Sequence, residues 1–434
     1  MKKLYFGFIA LFFLLSLTLS VGMLFAGPAQ PMANEVLAEP PAATTPEGGF
    51  NDRILADTAK YVGDHFFLRQ QLISLDRRLN ASLLGTSGQD SVLLGKDGWL
   101  YFRDTLNDYT GVDPLTDRQL SRIAHNLALM NRYCAENGKQ FLFVIAPNKN
   151  ALYGENMPNF GVKAQVTDAQ KLQQLLEGSV PYADLFAAFE GEEEILYFAH
   201  DSHWNSKGAA LGADVINRGF GVESSFFGAD FSASKPHEGD LYAMLYPGST
   251  DPEQDPVYGG VLDFAFTGRA TKPDAISLET AGQGSGKLLA YRDSFGNLLF
   301  PYLAASYAEA TFSRSVAYDL TKEADFVLIE LVQRNLKYLI TYIPVMPAPV
   351  ETVELPENSQ GKLTVTTAKK GDLLQLSGAL PEDADAAWVV CDGVAYRCFM
   401  LEDGFAANVP QQAQTVVYTI GGETLMYELM SGGN

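Results

Sequence analysis

No run of lysine or arginine occurs in the 434 residues, and 31 basic side chains face 52 acidic ones, a formal net charge of −21. A surface that grips a polyanion needs clustered cations, so nucleic acid is not an expected partner. A solvated surface accounts for the acidic excess. Cysteine is also scarce, with 3 in the chain. Cys134 falls on the apolar stripe of an expected helix and reads as a small core residue. Cys391 and Cys398 flank an expected hairpin turn; a disulfide is compatible with that placement, but the sequence alone does not decide it. No internal repeat is found.

What is present begins at the N-terminus. Met1, Lys2 and Lys3 form a basic head, and residues 4–26 then carry no charge. A span of about 20 apolar residues crosses a bilayer core. A secretory leader has a shorter apolar region and small residues before its cleavage site. Leu24, Phe25 and Ala26 make a poor site before Gly27, whereas Ser20, Val21 and Gly22 make a passable one. The favoured reading is an uncleaved single-pass anchor over 1–27, and the alternative is a cleaved leader. Either way the basic head stays inside and the rest is exported.

Residues 28–50, rich in Pro, Ala, Glu and Thr without apolar periodicity, read as a flexible linker. Hydrophobic residues make up 47% of the chain, ample for one large core and a smaller domain. Residues 91–102 read as a hairpin turning at Lys96, Asp97 and Gly98. Thr116 and Gln119 form a capping box ahead of a helix whose face carries Leu120, Ile123, Leu127, Met130 and Cys134. The unbroken apolar run 141–146 marks a strand buried on both faces. A helix over 167–176, a short strand over 195–198, a helix over 206–217 capped by Asn205, and strands over 287–291 and 326–331 continue the alternation. Pro301 implies that any helix after residue 294 starts near it or breaks. The pattern implies an α/β fold over 51–349, with a parallel sheet flanked by helices. Beyond the proline-rich stretch 344–349, short β-rich runs over 350–434 indicate a small all-β, sandwich-like domain.

Ligands of parallel sheets bind beyond the carboxyl ends of the strands, so the residues after each strand carry the chemistry. Asp201 and His203 follow the 195–198 run, and alternation turns both to one side of an extended segment. A carboxylate so placed orients an imidazole and stabilises the imidazolium formed when it takes a proton. Trp204 stands beside them, positioned to wall a site. Ser294 follows the 287–291 strand in the run Arg292, Asp293, Ser294, Phe295, Gly296, Asn297. A serine on a tight strand-to-helix turn is held exposed, with its own backbone N–H as the first donor of an oxyanion hole. Lys149 and Arg334, each at a strand end, are candidate ligands for an anionic sugar or an acyl carbonyl.

The segment Asp201-Ser202-His203-Trp204-Asn205, with Asp293-Ser294-Phe295-Gly296-Asn297 after a later strand, resembles the SGNH-hydrolase-like proteins of alginate O-acetylation (J and X types) and their DHHW relatives. The hairpin Gly95 to Tyr101, the strand end Ala146 to Lys149, and Gln333-Arg334-Asn335 add to the likeness. Ser202 stands where the DHHW name has a second histidine, and Arg292-Asp293 replaces the Gly-Thr common in alginate enzymes. The resemblance implies an SGNH-like fold with Ser294 as nucleophile, His203 as base and Asp201 as its orienter. The implied activity is O-acetyl transfer or O-acetyl ester hydrolysis on a cell-surface or secreted polysaccharide, with no cofactor and no metal. It also implies a multi-pass membrane O-acyltransferase as acetyl donor. Two other readings compete: a metal site drawn from His200, Asp201, His203 and His237, and a non-catalytic glycan-binding or assembly protein.

Overall fold

The computed structural model describes residues 2–27, 31, 35–45, 48–158 and 162–431. The 28–50 linker therefore lies partly outside the described residues. Within it, Glu35 pairs with Arg69 at 2.6 Å and the Ala38 amide donates to Asp64, so this stretch runs along the domain. One helix, Lys2–Ala26, is long and apolar enough over Tyr5–Met23 to cross a membrane.

The central sheet has seven strands in the order Tyr182–Ala183, Gln140–Ala146, Phe326–Val332, Lys287–Tyr291, Glu309–Ser313, Ser277–Gly282, Phe264–Phe266. The first five run parallel, the sixth pairs antiparallel with the fifth, and the seventh pairs antiparallel with the sixth. The apolar run in Gln140–Ala146 is unbroken because both faces are covered. Phe141, Phe143 and Ile145 join one core with the helices Asp117–Glu136 and Asp168–Leu176. Leu142, Val144 and Ala146 join the other, with the helices Ser206–Gly219 and Gly296–Ser306. Each Phe, Leu, Val or Ile among them, once fully buried, contributes about 1.5–3 kcal/mol. Thr116 and Gln119 form the capping box, Asn205 caps its helix through the Gly208 amide, and Cys134 is core. Val332 pairs with Ala146, and Ile329 with Tyr291, so these strands finish at one sheet edge.

Two local expectations fail. Residues 195–198 form no strand: Tyr197 makes a single bridge to Trp204, because the chain turns straight back instead of joining the sheet. The helix Gly296–Ser306 runs through Pro301 without breaking. Proline removes one ladder donor, and the buried flanking side chains Phe300, Tyr302 and Leu303 hold the helix to the core.

After residue 349 the strands form one continuous nine-stranded ladder in which Lys362–Lys370 pairs in parallel with Glu423–Ser431 and joins two halves. Val365, Leu376 and Phe405 of one half share a core with Val389, Val416 and Tyr418 of the other. Cys391 and Cys398 are both free thiols. Cys391 pairs with Val394 across the turn, while the Cys398 amide bonds the Ala387 carbonyl, so the two lie out of register. This sheet is fastened to the helix Asp117–Glu136: Arg122, buried, donates to the carbonyls of Leu401, Glu402, Glu382 and Ala384.

Candidate active site

Asp201, Ser202 and His203 lie on the bend between residues 198 and 205, under which Lys149 sits. Its ammonium donates to the carbonyls of Phe198 at 3.0 Å, Ala199 at 3.0 Å and Asp201 at 2.7 Å. From above, Glu253 accepts from the amides of Ala199 and His200. The bend is therefore set by side chains that satisfy backbone groups no sheet could reach.

Ser294 follows the strand Lys287–Tyr291, and Asp293 fixes its loop. One carboxylate oxygen of Asp293 accepts from the Phe295 amide at 3.0 Å, and the other from the Val332 amide and Asn335 Nδ2, both at 2.8 Å. The Asp293 amide in turn donates to Glu330, which is fully buried under the loop. Burial first, and then the charge of Asp293, raise the Glu330 carboxyl well above its usual range.

The two loops meet. His203 Nε2 lies 2.8 Å from Ser294 Oγ, and His203 Nδ1 lies 2.7 Å from Asp201 Oδ1. The His203 side chain remains 20% exposed, against 6% for Asp201, so the imidazole is reachable while its orienter is shielded. The second oxygen of Asp201 accepts from His237 Nε2 at 2.9 Å and from the Asp240 amide at 3.0 Å. Asp240 also accepts from the Ser202 amide and hydroxyl, and its Oδ2 lies 3.6 Å from His203 Nδ1. Among the described residues the Ser294 amide has no protein acceptor, whereas the Phe295 amide is taken by Asp293. The Ser294 N–H therefore stands beside its own hydroxyl without an acceptor among these residues.

The charges follow from these contacts. Burial would raise the Asp201 carboxyl, but hydrogen bonds from His203 and His237 and the positive charge of His203 outweigh it and hold Asp201 well below the usual carboxylate range. Burial disfavours the His203 imidazolium, yet the bond to Asp201 and the charges of Asp201 and Asp240 raise its pKa above the ordinary 6.5.

Not every candidate residue reaches the opening. Trp204 is fully buried, stacked on Phe189, with its indole N–H on the Phe295 carbonyl at 3.1 Å. Trp204 turns into the core, away from His203, where it ties the two loops together and walls nothing. Lys149 is likewise unavailable to a substrate, since its three protons are taken by the three carbonyls. Arg334 does reach the site's edge. Half-buried, it bonds Asn148 Oδ1 at 3.3 Å and lies over the rings of Phe102 and Phe295. Asn148 continues to Asp108, whose carboxyl burial pushes up to about 6.

From sequence, Asp240 has no role, and His237 enters only as a metal ligand, not as a partner of Asp201. They come from the hairpin Ala233–His237 with Glu253–Val257 and from the short helix Asp240–Leu245. The one available signal was the cluster His237-Glu238-Gly239-Asp240. Gly239 is needed there, because a Cβ would collide with the His200 carbonyl.

Asp201, His203 and Asp240 are also grouped closely enough to suggest a cation. However, Asp201 Oδ1 and His203 Nδ1 stand 2.7 Å apart, within hydrogen-bonding distance of each other. Tetrahedral ligands at about 2.0–2.2 Å from zinc sit roughly 3.4 Å from one another. His200 turns away to the Asp251 carbonyl.

Residues 92–256 match the family model described as the SGNH hydrolase-like domain of acetyltransferase AlgX. The α/β domain is SGNH hydrolase-like. The matched segment of this SGNH-like domain holds Asp201, His203, His237 and Asp240 and ends before Ser294. No curated protein matches the chain. Among solved structures, a DHHW family protein from Eubacterium siraeum shares 16% identity at a TM-score of 0.40, covering 52% of this chain and 90% of that one. Bacillus cereus PatB1 with a sulfonyl adduct shares 16% identity at a TM-score of 0.44, covering 56% and 95%. The O-acetyltransferase domain of Pseudomonas putida AlgJ shares 18% at 0.36, covering 57% and 92%.

Proposed function

We propose that the protein is an extracytoplasmic, membrane-anchored O-acetyltransferase of a cell-surface or secreted polysaccharide, working through an acetyl-serine on Ser294. The observation that carries this reading is the continuous chain Asp201 Oδ1, His203 Nδ1, His203 Nε2, Ser294 Oγ at 2.7 and 2.8 Å, with the imidazole partly open to solvent. The family model, named for an acetyltransferase, supports the same reaction class.

In the first half-reaction Ser294 Oγ attacks the acetyl carbonyl while His203 Nε2 takes its proton. The Ser294 N–H receives the oxyanion, and Asp201 stabilises the imidazolium. The leaving group departs with the proton from His203. In the second half-reaction a sugar hydroxyl gives its proton to His203 and takes the acetyl group, restoring the serine. Arg334 stands where it can meet an acyl carbonyl or an anionic sugar. The resemblance supplies the acetyl source, a membrane-embedded O-acyltransferase, which suits a domain held at the bilayer. With water as acceptor the same steps make an esterase.

Mass spectrometry of the full chain after incubation with p-nitrophenyl acetate tests the proposal. The expected result is one acetyl group on Ser294, absent in Ser294→Ala and formed far more slowly in His203→Ala. An unmodified Ser294 with no burst of nitrophenol would overturn it.

A further inference from the structure

The helix Arg69–Leu84 is amphipathic in the wrong sense for a water-soluble surface. Three of its polar side chains reach the protein, while Gln71, Asp76 and Ser82 stay exposed. Buried Ser74 bonds the Pro247 carbonyl, Arg77 donates to the Met244 carbonyl at 2.6 Å, and Arg78 bonds Tyr242 Oη at 2.8 Å with its guanidinium over the Tyr246 ring. Its apolar side faces out. Leu72, Leu75, Leu79 and Leu83, with Leu68 just before the helix, are 40–76% exposed and fall on one stripe at helical spacing. A surface helix ordinarily buries such a stripe, and here the core it would face is absent.

We infer that this leucine face lies on the outer leaflet of the bilayer as an interfacial second attachment beside the anchor; the inference rests on reading Tyr5–Met23 as a membrane span. The position of the stripe argues for lipid. The Phe67 amide, next to Leu68, donates to the Leu19 carbonyl at 3.1 Å, and the Phe67 ring lies against Gly22, where a Cβ would collide with it. Leu19 lies inside the span, and its outer end is Met23. Four residues of helix amount to about 6 Å. The leucine stripe therefore starts near the boundary between headgroups and acyl chains, the depth at which interfacial helices bury their apolar faces. A second copy is the poorer occupant, because the 16-residue helix offers little more than two heptads, and a sustained coiled coil takes at least three. The helix docks on Asp240–Leu245, whose first residue reaches the His203 bend, so the stripe and the site rest on one short element.

The test uses the full chain in vesicles of phosphatidylcholine with a minority of phosphatidylglycerol. All three native cysteines are buried, so a single added cysteine takes a polarity-sensitive fluorophore selectively. Labels go at Leu75→Cys on the stripe, Leu11→Cys in the anchor, and Ser121→Cys on an exposed helix surface elsewhere. The expected result is a blue-shifted Leu75 label that loses at least half its emission to lipids spin-labelled near the headgroup, while the Ser121 label responds only to aqueous iodide. A Leu75 label quenched by iodide while the Leu11 label answers to lipid would overturn the inference and leave the anchor standing. Iodide quenching at both positions would show instead that the anchor reading itself fails. Disulfide-linked dimers through unlabelled Leu75→Cys would assign the stripe to a second copy and also overturn it.

Discussion

His237 Nε2 lies 2.9 Å from Asp201 Oδ2, the carboxylate oxygen that the His203 ring does not use. The carboxylate is thereby held from both sides, and its orientation toward His203 depends on a residue from a separate hairpin. Removing that bond in His237→Ala forfeits a charge-assisted contact of about 1.5 kcal/mol. The acylation rate with p-nitrophenyl acetate is expected to fall about tenfold, with KM little changed. His237→Gln, which keeps a donor, should recover most of it. Equal rates in all three proteins would show that His237 does not position Asp201.

The pH profile follows from the raised His203 pKa. Only the neutral imidazole accepts the Ser294 proton, so activity should rise with pH through a midpoint above 6.5. Asp240 raises that pKa and Arg334 lowers it by their charges. Asp240→Asn should shift the midpoint to lower pH, and Arg334→Gln to higher pH. The two limbs measured side by side check the sign of each effect.

Asp201 makes a separate prediction about stability. Its folded pKa lies well below the ordinary carboxylate value of about 3.9, so the unfolded chain binds more protons in that window. The stabilisation is present above the unfolded value and is lost as pH falls toward the folded one. Asp201→Asn should flatten the acid limb of the stability curve in urea titrations across pH.

Lys149 is a brace, and its loss should appear in folding before it appears in substrate affinity. In Lys149→Met three carbonyls lose their donor. Roughly 3 kcal/mol of stability should go with them, measurable as a lower urea midpoint. A change in KM alone, at full stability, would contradict this role.

Asp293→Ala should loosen the serine loop by removing acceptors for Phe295, Val332 and Asn335. Misplacing a nucleophile by about 1 Å costs on the order of a hundredfold in rate. The acetylation rate of Ser294 is expected to drop by that order while the far-ultraviolet circular dichroism stays unchanged.

Much of this was legible in the residues themselves. The run 141–146, without a polar break, required cover on both faces. Thr116 with Gln119, and Asn205, marked helix starts because their side chains satisfy donors at fixed offsets. Alternation put Asp201 and His203 on one side of the chain. These are local properties, encoded within a few residues. The tertiary structure decided what local spacing cannot encode: that the bend at 201–203 meets the loop at 294, that Trp204 turns inward to the Phe295 carbonyl, that Lys149 is spent on backbone, and that His237 and Asp240 arrive from a separate hairpin and short helix. A side chain's chemistry is fixed by its neighbours and its distance from water, and for these residues both are set by strand pairing and loop closure between segments far apart in the chain.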